Sequence, residues 1–394
     1  MSNRYIILII FLLSINSAFS KVILIRNNSE IVRILDQNAF KGYNDEFILK
    51  GNFDLNGNKI RLPDHSTINL NDGFLSNGTL EGNNSSIIAG IKTIFDKDIN
   101  IEGTWRVENA YPEWFGAISN TGKDCIPALK KCNGIRASNI ILSSGIYNIY
   151  STFRFTNSNI IVKSNASLCA KAKMKYLIFG DFFKLSPTHG IYDAASLRAI
   201  SGGGTLDGNG LAEIGAVMRR GLRSRISNLT IKGVTKAGIL TAYDSEEIGN
   251  CYISEIVIMN NLSLKNTIGI WNNRSDCTFS KIEIINFQIG IRNDAGNGKY
   301  VDVHPWLLDS SLWENSVAFE SSAGGMTLIS CEADTMRKFI KCKNKIGDNY
   351  LIACKSFINE GVIPKNLSRQ FPQIFIDKNG FVDSSFKIST FDTK

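Results

Sequence analysis

Short runs of apolar and β-branched residues recur along the chain at a nearly constant interval. Three copies of the longest run align at offsets of 27 and 26 residues: Ile226–Ile231, Ile253–Ile258 and Phe279–Ile284. A shorter apolar run follows each copy and begins at Gly238, Gly269 and Gly290. No pattern of helix length separates these runs, and short strands at this spacing bury their apolar faces only by stacking on neighbours. The pattern therefore predicts an all-β fold, a right-handed parallel β-helix.

The amino terminus has the pattern of a secretory signal peptide. A short positive start ends at Arg4, an almost unbroken apolar run covers Tyr5–Leu13, and Ala18–Ser20 supplies small residues at the cleavage spacing. We expect residues 1–20 to be removed and the protein to be periplasmic or extracellular. No later segment is apolar for long enough to span a bilayer.

The remaining chain divides by its pattern into two parts. Residues 21–110 are rich in strands and turns and are expected to form irregular early coils or a cap subdomain. Residues 111–394 are expected to form the β-helix, with a capping helix near residues 124–132. Asp124 is the candidate N-cap of that helix, and Ile126, Leu129 and Cys132 give its apolar side.

Composition changes this picture in two respects. The chain has 44 Lys and Arg against 36 Asp and Glu, a net charge of +8, which becomes +7 when Arg4 is removed with the signal peptide. A mildly basic exported protein suits an anionic polysaccharide, although a solvated surface without a ligand gives the same balance. The sequence carries no nucleic-acid-binding motif. We expect no cofactor and no metal site, and the sequence leaves the oligomeric state open.

The eight cysteines of this chain include two pairs at equivalent positions of successive coils. These pairs are Cys251 with Cys277 and Cys331 with Cys354. Stacked positions lie about 4.8 Å apart, so a bond requires both side chains to lean together. We expect these cysteines to act as small buried apolar residues.

Two motifs resemble the pectate-lyase-like superfamily, which includes tailspike-type polysaccharide depolymerases. The Trp-Phe-Gly-Ala of Trp114–Ala117, followed by Asp124 and a short helix, is similar to its N-terminal motif. Gly203–Gly210 reads Gly-Gly-Thr-Leu-Asp-Gly-Asn-Gly, which is also similar to that superfamily. The resemblance covers roughly residues 45–360. It implies the β-helix fold and leaves the reaction open, since this fold hosts lyases, hydrolases, epimerases and non-catalytic spikes. The catalytic motifs of polygalacturonase-type hydrolases and the calcium-binding aspartates of pectate lyases are missing.

Candidate chemistry is expected on the outward face of two strands. Alternation along Val301–Trp306 turns the valines inward, so Asp302, His304 and Trp306 are expected to point outward together. By the same rule, the following coil presents the outward residues Ser330, Glu332 and Asp334. Because 28 residues separate His304 from Glu332, the two sets are expected to form one patch.

Further side chains are candidates for binding a substrate. Lys355 is the equivalent of Glu332 one coil later, and Trp313 belongs to a loop that could overhang the patch. A second candidate is a group of guanidinium groups that could clamp carboxylates or sulfates: Arg219, Arg220, Arg223 and Arg225. Either set would be an ordinary solvated surface if no ligand binds there.

We expect an enzyme that degrades an acidic polysaccharide, and a lyase fits best. In a lyase, His304 would remove the proton beside a uronic carboxylate while a lysine or arginine neutralises that carboxylate. In a hydrolase, Glu332 and Asp334 would act as acid and base. A non-catalytic glycan-binding or surface protein on the same scaffold is the third interpretation.

Overall fold

A computed structural model describes most of the chain in two compact units. One unit comprises Met1–Ile118 and Pro127–Ile140, and the other comprises Ser119–Ile126 and Ile141–Lys394. The described residues are 20–26, 31, 44–156, 158–181, 198–219, 223–242, 251–309, 311–322, 326–342, 350–357 and 373–377. The predicted signal peptide lies almost wholly outside them. The strands of both units pair in parallel, which confirms the predicted parallel β-helix class.

Eight strands begin in the first unit, and six of them form a parallel sheet in the order β1-β2-β4-β5-β3 with β6 beside β5. Their bounds are β1 Val22–Ile25, β2 Glu46–Asp54, β3 Lys59–Arg61, β4 Thr67–Ser76, β5 Gly78–Ile88 and β6 Ile99–Trp105. The short β7 Asn109–Ala110 pairs with the start of β8 Asn139–Leu142. The strand-rich pattern of residues 21–110 is present as β1 to β7.

The helix predicted near residues 124–132 is present as α1, Ile126–Gly134. The Asp124 carboxylate accepts a hydrogen bond from the amide of Ile126 at 3.0 Å, so it satisfies one free amide at the start of the helix, from one residue before the N-cap position that these bounds give. A 3-10 turn, Pro112–Phe115, precedes it and buries Trp114, whose side chain belongs to the core. No helix in the described ranges combines the length and apolarity needed to cross a membrane.

The second unit contains the remaining strands, which stack in parallel coil upon coil. Their bounds are β9 Gly145–Ile149, β10 Phe153–Phe155, β11 Asn159–Val162, β12 Ala166–Ala170, β13 Met174–Asp181, β14 Ala199–Ser201, β15 Thr205–Arg219, β16 Ser224–Ala242, β17 Cys251–Met259, β18 Ile268–Asn272, β19 Thr278–Ile285, β20 Ile289–Asn293, β21 Gly298–Trp306, β22 Val317–Ser321, β23 Met326–Ile329, β24 Glu332–Asp334, β25 Lys338–Cys342, β26 Tyr350–Phe357 and β27 Gln373–Asp377.

Strand register confirms the repeat found in the sequence. Equivalent apolar residues of β16, β17, β19, β21 and β23 form one buried column: Ile226, Ile253, Phe279, Tyr300 and Leu328. The rings of Phe279 and Tyr300 stack at 4.7 Å within it. Each fully buried apolar side chain of this kind stabilises the fold by about 1.5–3 kcal/mol, which is why each coil needs its neighbours.

Five successive coils of the second unit bend at an equivalent residue with positive φ. These residues are Asn228 (φ 51°), Glu255 (φ 57°), Lys281 (φ 54°), Asp302 (φ 56°) and Ser330 (φ 51°). Each is the third residue counted from its member of the buried column and interrupts the simple two-residue alternation. We call this positive-φ residue the corner of the coil. The alternation of buried and outward side chains therefore holds on either side of the corner but does not continue through it.

The expectation for Cys251 and Cys277 is wrong. Their sulfur atoms are joined as a disulfide between β17 and the segment before β19, with the Cα atoms 4.7 Å apart. The side chains of this stacked pair lean together, the condition that the sequence could not establish. Cys331 and Cys354, equivalent to each other one coil apart, are buried free thiols as expected.

Candidate functional site

The candidate site lies on β21 and β24, on the adjacent segments that follow the bend of each coil. Trp306 pairs with Asp334 in the parallel register, an offset of 28 residues. The same offset sets His304 level with Glu332, as the sequence predicted. His304, Trp306, Glu332 and Asp334 are all half-buried, whereas the residues between them, Pro305 and Ala333, are buried. These four side chains therefore share one outward face.

Asp302 does not lie on that face, contrary to the prediction from the sequence. It occupies the corner of β21, where its φ of 56° breaks the alternation, and Val301 is half-buried rather than turned into the core. Ser330 and Ile329 show the same departure one coil later. Asp302 is exposed at the bend, so it does not continue the row of alternate residues formed by His304 and Trp306 on the same strand.

The closest contact of the site joins an imidazole to a carboxylate. Nε2 of His304 lies 3.1 Å from Oδ2 of Asp334. The two side chains are 29% and 37% exposed, so the pair is reachable from solvent yet partly shielded from it. The ring of His304 also lies 6.3 Å from the indole of Trp306, with 28° between the planes. An aromatic surface thus adjoins the histidine.

This contact fixes which imidazole nitrogen can take up a proton. An ionised carboxylate only accepts hydrogen bonds, so Nε2 must carry the hydrogen. In neutral His304 the lone pair is then on Nδ1. A base whose second nitrogen is held by a carboxylate is the arrangement that orients histidine in acid–base catalysis.

The backbone of Asp334 is held in place by hydrogen bonds to its carbonyl oxygen. Its carbonyl accepts hydrogen bonds from the amide of Leu307 at 3.3 Å and the hydroxyl of Thr335 at 2.7 Å. Within the described part of the chain, its Oδ1 is buried and accepts no hydrogen bond. Within the described part of the chain, the hydrogen bond from His304 is therefore the one that this carboxylate accepts through Oδ2, while Oδ1 accepts none.

A column of polar residues runs through the site from coil to coil. Glu283 of β19 pairs with His304, and Glu332 pairs with Lys355. The register confirms that Lys355 is the equivalent of Glu332, although its side chain lies outside the described residues. Glu283 was not a candidate from the sequence, yet the repeat alignment that gave the fold places it in this column.

Trp313 is buried, with 4% of its surface exposed. Its carbonyl accepts a hydrogen bond from the amide of Ser316, which closes a local turn. An indole in the core offers no face to a sugar, so the predicted substrate-binding role of Trp313 is corrected. Tryptophan side chains are on average more buried than exposed to solvent.

The arginine group is only partly described and is not brought to His304. Arg219 ends β15 and lies 3.8 Å from Asp181 of β13. Arg223 is exposed at a position with φ of 57°, Arg225 lies over the ring of Tyr252, and Arg220 lies outside the described residues. Strand β15 pairs with β12, β13, β14 and β16 but not with β21 or β24.

The structure contains a second row of charged side chains that the sequence analysis did not identify. Arg292 lies 2.8 Å and Lys341 lies 3.5 Å from the carboxylate of Glu320, which is 2% exposed. Trp271 occupies the position equivalent to Arg292 on the preceding coil. The spacing of the shorter apolar runs could have revealed this row, because Arg292, Glu320 and Lys341 each directly follow the last apolar residue of a run.

Comparison of the chain with protein-family models, curated proteins and solved structures finds no match. Among the residues whose structure is described, no group of three His, Cys, Asp or Glu side chains could hold a metal ion.

Proposed function

We propose that this protein is an exported polysaccharide-degrading enzyme that acts on an acidic glycan, a lyase of the pectate-lyase-like superfamily. The observation that carries the proposal is the contact between Nε2 of His304 and Asp334 beside the half-buried Trp306. The motifs at Trp114–Ala117 and Gly203–Gly210 support the superfamily. The signal-peptide pattern supports export.

The proposed reaction is β-elimination at a uronic acid. Nδ1 of His304 takes the proton from the carbon next to the uronic carboxylate, and the electron pair left behind forms a carbon–carbon double bond. The bond from the neighbouring carbon to the glycosidic oxygen then breaks, and that oxygen takes up a proton from water. Asp334 holds the ring in the required tautomer and stabilises the imidazolium that forms.

The surroundings of His304 suit a sugar polymer. An indole at the edge of the site gives an apolar surface on which a sugar ring can stack. The column Glu283, His304, Glu332 and Lys355 runs across successive coils, so a chain lying along it would meet several polar groups in turn. Lys355 is the cation of this column and is proposed to neutralise the uronic carboxylate.

The hydrolase interpretation is weaker because of where Asp334 points. A hydrolase would use Glu332 and Asp334 as an acid and a base on either side of the bond. One oxygen of Asp334 is engaged with His304 and the other is buried, which leaves little of this carboxylate for a water or a sugar oxygen. The geometry thus favours a histidine base over a carboxylate pair.

Incubation with a panel of acidic polysaccharides tests the proposal. The ultraviolet absorbance of an unsaturated uronate should rise on one substrate, with one new reducing end for each double bond. New reducing ends without that absorbance would identify a hydrolase. Binding to a polysaccharide without either product would identify a glycan-binding protein and contradict the enzymatic proposal.

A further inference from the structure

Among the described residues of the first unit, one buried carboxylate has an oxygen without a hydrogen-bond partner. Asp45 is 2% exposed and directly precedes β2. Its Oδ1 accepts a hydrogen bond from the backbone amide of Lys21 at 2.9 Å. Its Oδ2 is buried and accepts no hydrogen bond from any described residue.

Nor does a described side chain supply this carboxylate with a positive charge. No lysine, arginine or histidine side chain in the described ranges forms an ion pair with Asp45, and the side chain of Lys21 itself is exposed. Burying an ionised carboxylate is costly unless it is paired and its oxygens are hydrogen-bonded. The amide of Lys21 supplies one hydrogen and no charge.

The predicted signal-peptide cleavage falls at this nitrogen. We propose that cleavage of the Ser20–Lys21 bond makes Lys21 the first residue, and that its new α-ammonium forms a buried ion pair with Asp45. A signal peptidase adds water across the bond, so Ser20 leaves with a carboxylate and the nitrogen of Lys21 becomes an ammonium. That group has three hydrogens and a positive charge. One hydrogen keeps the bond to Oδ1, and another serves Oδ2.

The ion pair joins the start of β1 to the start of β2. Glu46 donates its amide to the carbonyl of Lys21 at 2.9 Å, and Val22 pairs with Glu46 in the parallel register. Lys21 is thus bonded on both sides of its α-carbon, through nitrogen to Asp45 and through carbonyl to Glu46. Processing would therefore fasten β1, the outermost strand of the sheet order, to β2. This inference rests on the proposed export and is independent of the proposed lyase activity.

Two mature chains that differ only at the amino terminus test the pair. One begins at Lys21, and the other retains Ala18–Ser20 so that the nitrogen of Lys21 stays an amide; both are released from a fusion partner. Hydrogen exchange is followed in the peptides that contain Val22–Ile25 and Glu46. The free ammonium should slow exchange there by about tenfold or more, the effect expected of a charged hydrogen bond.

The variant Asp45→Asn, made in both chains, completes the comparison. The difference between the two chains should disappear when the carboxylate is replaced. Equal exchange in the two parent chains, or a difference that survives D45N, would overturn the inference. If D45N does not fold, an Nα-acetylated chain beginning at Lys21 replaces it and should exchange like the chain that retains Ala18–Ser20.

The intact mass of the protein exported from its full-length precursor tests the cleavage position separately. A chain beginning at Lys21 is expected. Another first residue would overturn the proposed processing, whatever the exchange data show for the ion pair. Neither measurement involves a glycan, so the inference and the lyase proposal fail independently.

Discussion

At the residue scale, the role of His304 depends on how its ring is held. Nε2 faces the Asp334 carboxylate at 3.1 Å, and the carbonyl of Asp334 is itself bonded to Leu307 and Thr335. Asp334 is therefore a positioning residue that would act through His304. Its removal should affect the proton transfer more than the binding of substrate.

The variant Asp334→Asn should lower kcat by about 100-fold or more while KM changes little. An amide can present its NH₂ to Nε2 and thereby favour the wrong tautomer, the effect known for buried carboxylates that orient a histidine. Initial rates of unsaturated uronate formation measure both constants. The matched control is Asp276→Asn, an exposed position with φ of 57° where asparagine is well tolerated. A rise in KM with kcat unchanged would contradict the positioning role.

Tyr300 is the second residue whose environment makes a definite prediction. Its hydroxyl is fully buried, donates to Asn293 Oδ1 at 2.9 Å and lies 3.4 Å from Asn272 Nδ2, and burial raises the pKa of the phenol. Tyr300→Phe removes the hydroxyl, so the side-chain amides of Asn293 and Asn272 each lose one hydrogen bond. We expect a loss of about 1–3 kcal/mol in the free energy of unfolding.

Urea denaturation measures this loss, with Tyr252→Phe as the control. Tyr252 is half-buried on β17, and its replacement should change the free energy of unfolding by about 0.5 kcal/mol or less. If the two variants prove equally stable, the buried hydroxyl does not contribute as the structure indicates.

At the element scale, the corners explain both what the sequence predicted and what it missed. The aligned runs at Ile226, Ile253 and Phe279 predicted the strands and their register correctly. The bend inside each run was missed because simple alternation carries no sign of a left-handed residue. Asn228 was the available signal, since asparagine favours positive φ, but Glu255 and Lys281 occupy the same corner in the next coils.

Substitutions at Lys281 test the corner directly. Lys281→Asn restores the residue found at the equivalent Asn228 and should leave stability unchanged or slightly raised. Lys281→Val places a β-branched residue at φ 54° and should cost about 1–2 kcal/mol. Both variants remove the same exposed charge, so the difference between their urea midpoints reports the backbone alone. Equal midpoints would contradict the assignment of the corner.

The disulfide between Cys251 and Cys277 is the other device that joins successive coils. Its loop of 26 residues predicts about 3–4 kcal/mol of stabilisation by restriction of the unfolded chain. Replacing both cysteines with alanine should lower the free energy of unfolding by that amount. Thiol titration of the denatured parent protein, before and after reduction, should show two additional thiols. No change on reduction would show that the disulfide does not form.

At the scale of the whole molecule, the sequence predicted the class of fold more securely than the site. Stacking is dictated by the repeated apolar positions, so the column from Ile226 to Leu328 follows from pattern alone. The site depends on side-chain direction at and after a corner. For that reason His304 and Asp334 meet as expected, whereas Asp302 occupies the bend and Trp313 enters the core.

The most direct test of the account is the rate at which the unsaturated uronate forms, measured for the parent protein, His304→Ala and Lys299→Gln on one acidic polysaccharide. Lys299 is exposed on the same strand as His304 but before the corner, so K299Q is a matched control. The account predicts that H304A loses at least about 100-fold in rate while remaining folded, and that K299Q keeps the parental rate. A folded H304A protein that forms the double bond at the parental rate would contradict it.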